Sequence, residues 1–148
     1  PSLANFEGIH RRMEVFSFND KVIIDDYAHH PEEIKAVLNT VLEFYPNKKN
    51  MVVFQPHLFS RTQDFMEGFV KVLDQFDEIA LMDIYPAREQ PISGVNSDVL
   101  LGLIKNQNKR KISEKDFKDT LTHSTAELIL VLGAGDIGNH IKKLKKSA

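Results

Sequence analysis

The sequence predicts an α/β fold: a mostly parallel sheet with helices on both faces and one antiparallel edge strand. Three observations carry that expectation. Short apolar runs alternate with segments whose apolar residues recur at helical spacing, the pattern of parallel strands joined by crossover helices. Two β-rich runs near the start are separated only by Asn19-Asp20, the mark of a hairpin. No Pro/Gly-rich linker interrupts the 148 residues, so one domain over residues 1–148 is expected, long enough for a sizeable core.

The elements follow in order. The hairpin joins "MEVFSF" to "KVIIDDYA". Pro31 suits a first helical turn, and Ile34, Val37, Leu38, Val41, Leu42 and Tyr45 then keep helical spacing. "NMVVFQP" reads as a short buried strand. Ser60 and Gln63 have the spacing of a capping box, and Phe65, Phe69, Val72, Leu73 and Phe76 follow on one predicted helical face. "EIALMDIYP" is a further strand, with a helix expected from about Ser97. "RKIS" reads as a short strand and "EKDFKDTL" as a short helix. "ELILVLG" is the last strand, and "DIGNHIKKLKK" a closing helix whose basic end suits the helix dipole.

Composition excludes several classes of function. Hydrophobic residues make up 42% and charged residues 27%, an ordinary balance for a globular protein. The formal net charge of −2 gives no electrostatic case for nucleic acid or a membrane surface. No apolar stretch is long enough to span a bilayer, and no signal peptide is visible. The absence of cysteine removes disulfides, thiolate nucleophiles and cysteine metal sites, and is compatible with a reducing cytoplasm, the expected location.

In a parallel sheet every strand-to-helix loop leaves at the same carboxyl edge, where ligands bind. The loops in question carry "DDYAHHPEE", "QPHLFSRT", "DIYPAREQPISG" and "GAGDIG". The last contains Gly133, Gly135 and Gly138 as G-x-G-x-x-G. A working dinucleotide fingerprint also opens a βαβ unit and carries an acid roughly 20 residues on. Only residues 139–148 follow Gly138, so neither is present. The glycines are read as a turn that lets strand and helix pack closely, which disfavours a dinucleotide-dependent oxidoreductase. The amides at that helix start leave room for a weak anion contact.

The other loops carry more chemistry. Asp26, His29 and His30 tempt a metal reading, but adjacent histidines generally point apart and ligand pairs more often sit further apart in sequence. No metal site is expected. Asp26 is better suited to accept hydrogen bonds from ligand hydroxyls, against the simpler alternative that an Asp and a His cap the next helix. His57 follows a strand, and Arg61 falls in the first turn of the next helix. A cation there opposes the helix dipole and wants an anionic partner, either a ligand carboxylate or phosphate or a nearby Asp or Glu. Arg88 and Glu89, between Pro86 and Pro91, form either a pocket wall or a solvated loop. Arg11 and Arg12 precede the first strand, in a solvated turn or facing a ligand held between domains.

Five segments in this order and spacing, "GIHRRMEVF", "DDYAHHPEEI", "VFQPHLFSRTQDF", "DIYPAREQPISG" and "GAGDI", resemble the C-terminal domain of the Mur ligases across essentially the whole chain. "QPH…SRT" points to the branch that joins L-alanine to UDP-N-acetylmuramate, with the related murein-peptide ligase as the alternative. A non-catalytic carboxylate-binding module is the rival from another class. The resemblance implies a Rossmann-like C-terminal domain of a three-domain, peptidoglycan-precursor enzyme. ATP, with Mg2+, would phosphorylate the lactyl carboxylate, and the amine of L-alanine would attack the acyl phosphate. By position it implies ATP contacts at Arg12, Asp26 and His29, and amino-acid contacts at Tyr27, His57 and Arg61. It assigns no catalytic residue within this domain and leaves the metal mainly to the central domain. Two positions depart from the family: Leu58 stands where Arg is frequent, and Ala28 where Gly is. The sequence holds no G-x-x-x-x-G-K-[ST] phosphate loop, so the chain is expected to be a fragment beginning at the central-to-C-terminal junction and inactive alone.

Overall fold

Asn19 and Asp20 both take positive φ, 48° and 64°, the conformation a tight hairpin requires. They join β1 (Glu14–Phe18) to β2 (Lys21–Asp26) as an antiparallel pair in the computed structural model, which describes residues 12–147. Arg11 and the rest of "GIHR" lie outside the described residues. The chain continues through α1 (Pro31–Phe44), β3 (Asn50–Phe54), α2 (Phe59–Asp64), α3 (Met66–Leu73), β4 (Glu78–Leu81) and α4 (Ser97–Leu103). It ends with β5 (Lys109–Lys111), a 3-10 turn (Glu114–Asp116), α5 (Phe117–His123), β6 (Leu128–Leu132) and α6 (Ile137–Ser147).

The six strands form one sheet in the order β1-β2-β6-β3-β4-β5, parallel except for β1 at the edge. β6 is apolar throughout and β3 is apolar from Met51 to Phe54, as strands covered on both faces must be. Their period-2 alternation divides the core. Ile24, Val52, Phe54, Leu130 and Leu132 face one layer with Ile34, Leu38, Phe69 and Leu100. Ile23, Met51, Val53, Ile129 and Val131 face the other with Phe117, Leu121, Ile137 and Ile141. Among the described residues no helix is long and apolar enough to cross a membrane.

The structure corrects one expectation and adds two details. Leu42 is 39% exposed, because the 3.6-residue period turns it to the flank of the stripe set by Ile34, Leu38 and Val41. The helix expected after Ser60 is two helices broken at Phe65, which is 41% exposed, and Phe76 lies beyond the second. The basic end of α6 also makes specific contacts. Lys145 pairs with Glu14, lies 3.8 Å from the buried Asp25 and sits 5.2 Å above the Phe16 ring.

Phe69 is fully buried, with its ring 5.4 Å from that of Phe54. Phe69→Ala should lower the unfolding free energy by about 3–5 kcal/mol in urea titrations, the usual cost of an aromatic cavity.

Candidate functional site

β2, β6, β3 and β4 lie side by side, so the loops after them, at residues 27–30, 133–136, 55–58 and 82–96, are neighbours at the carboxyl edge. Direct bonds tie them together. The Gly133 amide donates to the Asp26 carbonyl (3.3 Å), and the Ile137 amide donates to the buried Gln55 side chain (2.9 Å). Leu58 N–H donates to the Tyr85 carbonyl and Tyr85 N–H to the Pro56 carbonyl, both at 2.8 Å.

Asp26 ends β2 and is buried. One carboxylate oxygen accepts from the Met13 amide (2.9 Å), the other from the Ala28 amide (2.8 Å). Burial pushes its pKa above the ordinary value, and the two amides and the Arg12 guanidinium act in the opposite sense. Arg12, Asp26, Tyr27 and His29 line one cleft of about 390 Å3 together with Glu33 and Thr40. The structure therefore brings together Arg12, Asp26 and His29, and places Tyr27 in the same cleft.

His29 and His30 point apart. His29 sets its Nδ1 3.1 Å from the Tyr27 carbonyl, which only accepts, so this nitrogen carries a proton. The His29 amide donates to Glu33 (3.1 Å). His30 is the N-cap of α1, accepting from the Glu32 amide at 3.3 Å, with its ring against Phe65. For His30 the simple capping role is the one observed. Among the described residues no three His, Cys, Asp or Glu side chains gather as a metal site.

Four rings run from the cleft to the start of α2. Tyr27 meets His29 edge-on with centroids 5.6 Å apart, His29 meets His57 at 5.9 Å, and His57 stacks on Tyr85 at 5.6 Å with an interplanar angle of 11°. His57 and Arg61 are in contact, Nη1 lying 3.2 Å from Nδ1. A guanidinium only donates, so Nδ1 accepts and the neutral imidazole presents Nε2–H. Burial lowers the His57 pKa, the Arg61 and His29 charges lower it further, and Glu89 opposes them.

The capping box expected at Ser60 and Gln63 does not form. Leu58 is the N-cap and makes no side-chain capping bond. Instead Glu89 accepts from the Ser60 amide (3.0 Å) and from the Ser60 hydroxyl. Those two bonds, the hydroxyl first, hold its carboxyl below the usual range. One amide at the start of α2 is thus already bonded to a carboxylate of the chain. Leu58 itself takes φ 74° and ψ 136°, a conformation costly for a side-chain-bearing residue. Its carbonyl accepts from both the Thr62 amide (3.2 Å) and hydroxyl (2.8 Å), which fixes the strained turn from the helix side.

The glycines serve local packing, partly as expected. At Gly133 (φ 145°) an added Cβ would lie 2.9 Å from the Gln55 carbonyl and 3.0 Å from Ile137 Cγ2. At Gly135 it would lie 2.5 Å from Cγ of Tyr85, so the second glycine makes room for a loop ring rather than for strand–helix packing. Sequence reasoning singled out Glu89 only as a loop charge and missed Tyr85 altogether. The proline-flanked stiffness of their loop was the one available signal.

A family model for the Mur ligase, glutamate ligase domain matches residues 11–137. The chain belongs to the Mur ligase family. Among relatives of this Mur ligase domain, the UDP-N-acetylmuramate–L-alanine ligases of Flavobacterium psychrophilum and Christiangramia forsetii are 52% and 51% identical, over 98% and 99% of the chain. The chain spans about a third of the length of these curated relatives, 33% and 32%. The crystal structure of UDP-N-acetylmuramate-alanine ligase from Thermotoga maritima superposes with a TM-score of 0.71 at 27% identity, covering 98% of this chain and 31% of that one. A murein peptide ligase from Psychrobacter arcticus, at 21% identity and a TM-score of 0.69 over 98% of this chain and 31% of its own, shares the fold.

The His57 imidazole should titrate below 6.5 by NMR. Arg61→Gln should move the midpoint up, and Glu89→Gln should move it down. Because the folded state disfavours the imidazolium, the unfolded chain binds more protons between the folded value and 6.5. This contribution to stability therefore rises with pH through that window and is complete above it.

Proposed function

We propose that this chain is the C-terminal, amino-acid-receiving domain of a three-domain, ATP-dependent ligase that joins L-alanine to UDP-N-acetylmuramate in the cytoplasm. The observation that carries the reading is the Arg61–His57 pair at the sheet edge, 3.2 Å apart. Arg61 offers a charged fork and His57 an Nε2–H, both donors, and two converging donors suit a carboxylate. The relatives at about half identity are named for ligation of L-alanine, whose carboxylate is the end that does not react.

The nucleotide side rests on Asp26. The Met13 and Ala28 amides donate to its two oxygens and fix the carboxylate in place. A carboxylate fixed in this cleft suits the hydroxyls of a ribose, which donate to it. Arg12 across the cleft suits a phosphate, and His29 lies between the cleft and His57. Mg2+ when bound with the nucleotide would neutralise charge on the transferred phosphoryl group. The described side chains build no cation site, so no step is assigned to a metal held by this domain.

The contribution of these residues is positioning. Arg61 and His57 fix the carboxylate of the amino acid, so that its amine meets the acyl phosphate in a defined direction. Closing this edge against the rest of the enzyme excludes water from a hydrolysable intermediate. In the intact ligase, Arg61→Ala should raise the KM for L-alanine at least about tenfold, the loss of one charge-assisted contact, and leave that for ATP nearly unchanged. Asp26→Ala should do the reverse. Equal effects of both changes on both substrates would contradict the assignment.

A further inference from the structure

Two residues of the candidate edge have no assigned part, Tyr85 and Gly135, and they touch each other. We infer that Tyr85, seated by Gly135, is a positioning residue that sets the imidazole of His57, so that the glycine loop serves the amino-acid side of the site through an aromatic ring. This inference rests on the proposed role of His57 and deepens it.

The geometry is specific. Residues 57 and 85 form an isolated parallel bridge between loops that otherwise lack regular pairing. Two backbone hydrogen bonds of 2.8 Å flank it, from Leu58 to Tyr85 and from Tyr85 to Pro56. The bridge places the two side chains on the same side, and their rings stack at 5.6 Å and 11°. One face of the imidazole is thereby covered by the phenol ring. Its edge meets His29, and its Nδ1 meets Arg61. Ring contact, ring edge and hydrogen bond together leave the imidazole one orientation.

Tyr85 is held in turn from behind. Its Cβ, Cγ and Cδ2 atoms lie 2.7, 2.5 and 2.9 Å from where a side chain at position 135 would begin. The atoms concerned are the near end of the ring, which cannot swing aside without moving the Tyr85 backbone and hence the bridge to His57. Gly135 has no positive φ to account for its identity, so close approach is the physical reason for glycine there. The same loop anchors the start of α2 a second time, through Glu89 on Ser60. Residues 85–89 thus brace both members of the donor pair, His57 by a ring and Arg61 by its helix.

The test uses Tyr85→Phe, Tyr85→Leu and Gly135→Ala, each read in two ways. In the 148-residue chain, NMR titration of His57 should be unchanged in Tyr85→Phe, which keeps the stacked ring. In Tyr85→Leu it should move up toward the ordinary histidine value as the covered face opens to water, with the charged neighbours Arg61, His29 and Glu89 all still present. Gly135→Ala should move it in the same direction. In the intact ligase, Tyr85→Leu and Gly135→Ala should raise the KM for L-alanine about three- to tenfold, in line with the loss of an aromatic pair, and leave the KM for ATP unchanged, while Tyr85→Phe retains wild-type values. A His57 titration unmoved by Tyr85→Leu in a folded protein would overturn the inference, as would Tyr85→Phe behaving like Tyr85→Leu. Should Gly135→Ala fail to fold, the Tyr85 pair decides alone. If instead His57→Ala leaves the KM for L-alanine untouched while Tyr85→Leu still shifts the titration, the positioning contact stands and the assignment of His57 to the amino acid fails.

Discussion

The site depends on where the last strand goes. β6 is inserted between β2 and β3 and is hydrogen-bonded to both along its length, from Leu128 to Leu132. That placement sets three loops from distant parts of the chain shoulder to shoulder at one edge. It also makes every residue of β6 buried, which its sequence of five consecutive large aliphatics satisfies. The loop bonds then follow from proximity: Gly133 to the Asp26 carbonyl, and Gln55 to the first amide of α6. A strand that carried a charge in its middle would not sit there, and without it Asp26 and His57 would belong to separate surfaces.

From that arrangement the site acquires two ends joined by rings. At one end a buried carboxylate is held by backbone amides and raised in pKa by its surroundings. At the other, an imidazole is kept neutral by burial and by a guanidinium. The two demands are opposite in kind, since one end presents acceptors and the other donors. His29 stands between them, in edge contact with both Tyr27 and His57. That polarity is the basis of the proposal that a nucleotide and an amino acid are held side by side.

Much of this was legible in the sequence. Every strand was located, because the hairpin turn, the apolar runs and their alternation are local properties that the fold merely uses. The edge location of the polar loops followed from parallel topology alone, and Arg61 in a first helical turn was correctly placed. What escaped was non-local. The partner of Ser60 is Glu89 rather than Gln63, because a carboxylate from another loop outcompetes a local amide, and no spacing rule reaches across 29 residues. Leu58 gives no hint of its positive φ, since leucine is a residue that rarely adopts one. Gly135 was visible as a glycine, but the ring that requires it lies in a different loop.

The most direct test of the account is phosphate release by the intact enzyme that carries this domain, supplied with ATP, Mg2+ and UDP-N-acetylmuramate. L-Alanine is offered in one reaction and the tripeptide L-Ala-D-Glu-diaminopimelate in another. The account predicts release with L-alanine and none above background with the tripeptide. Release only with the tripeptide, or in neither reaction, would contradict it.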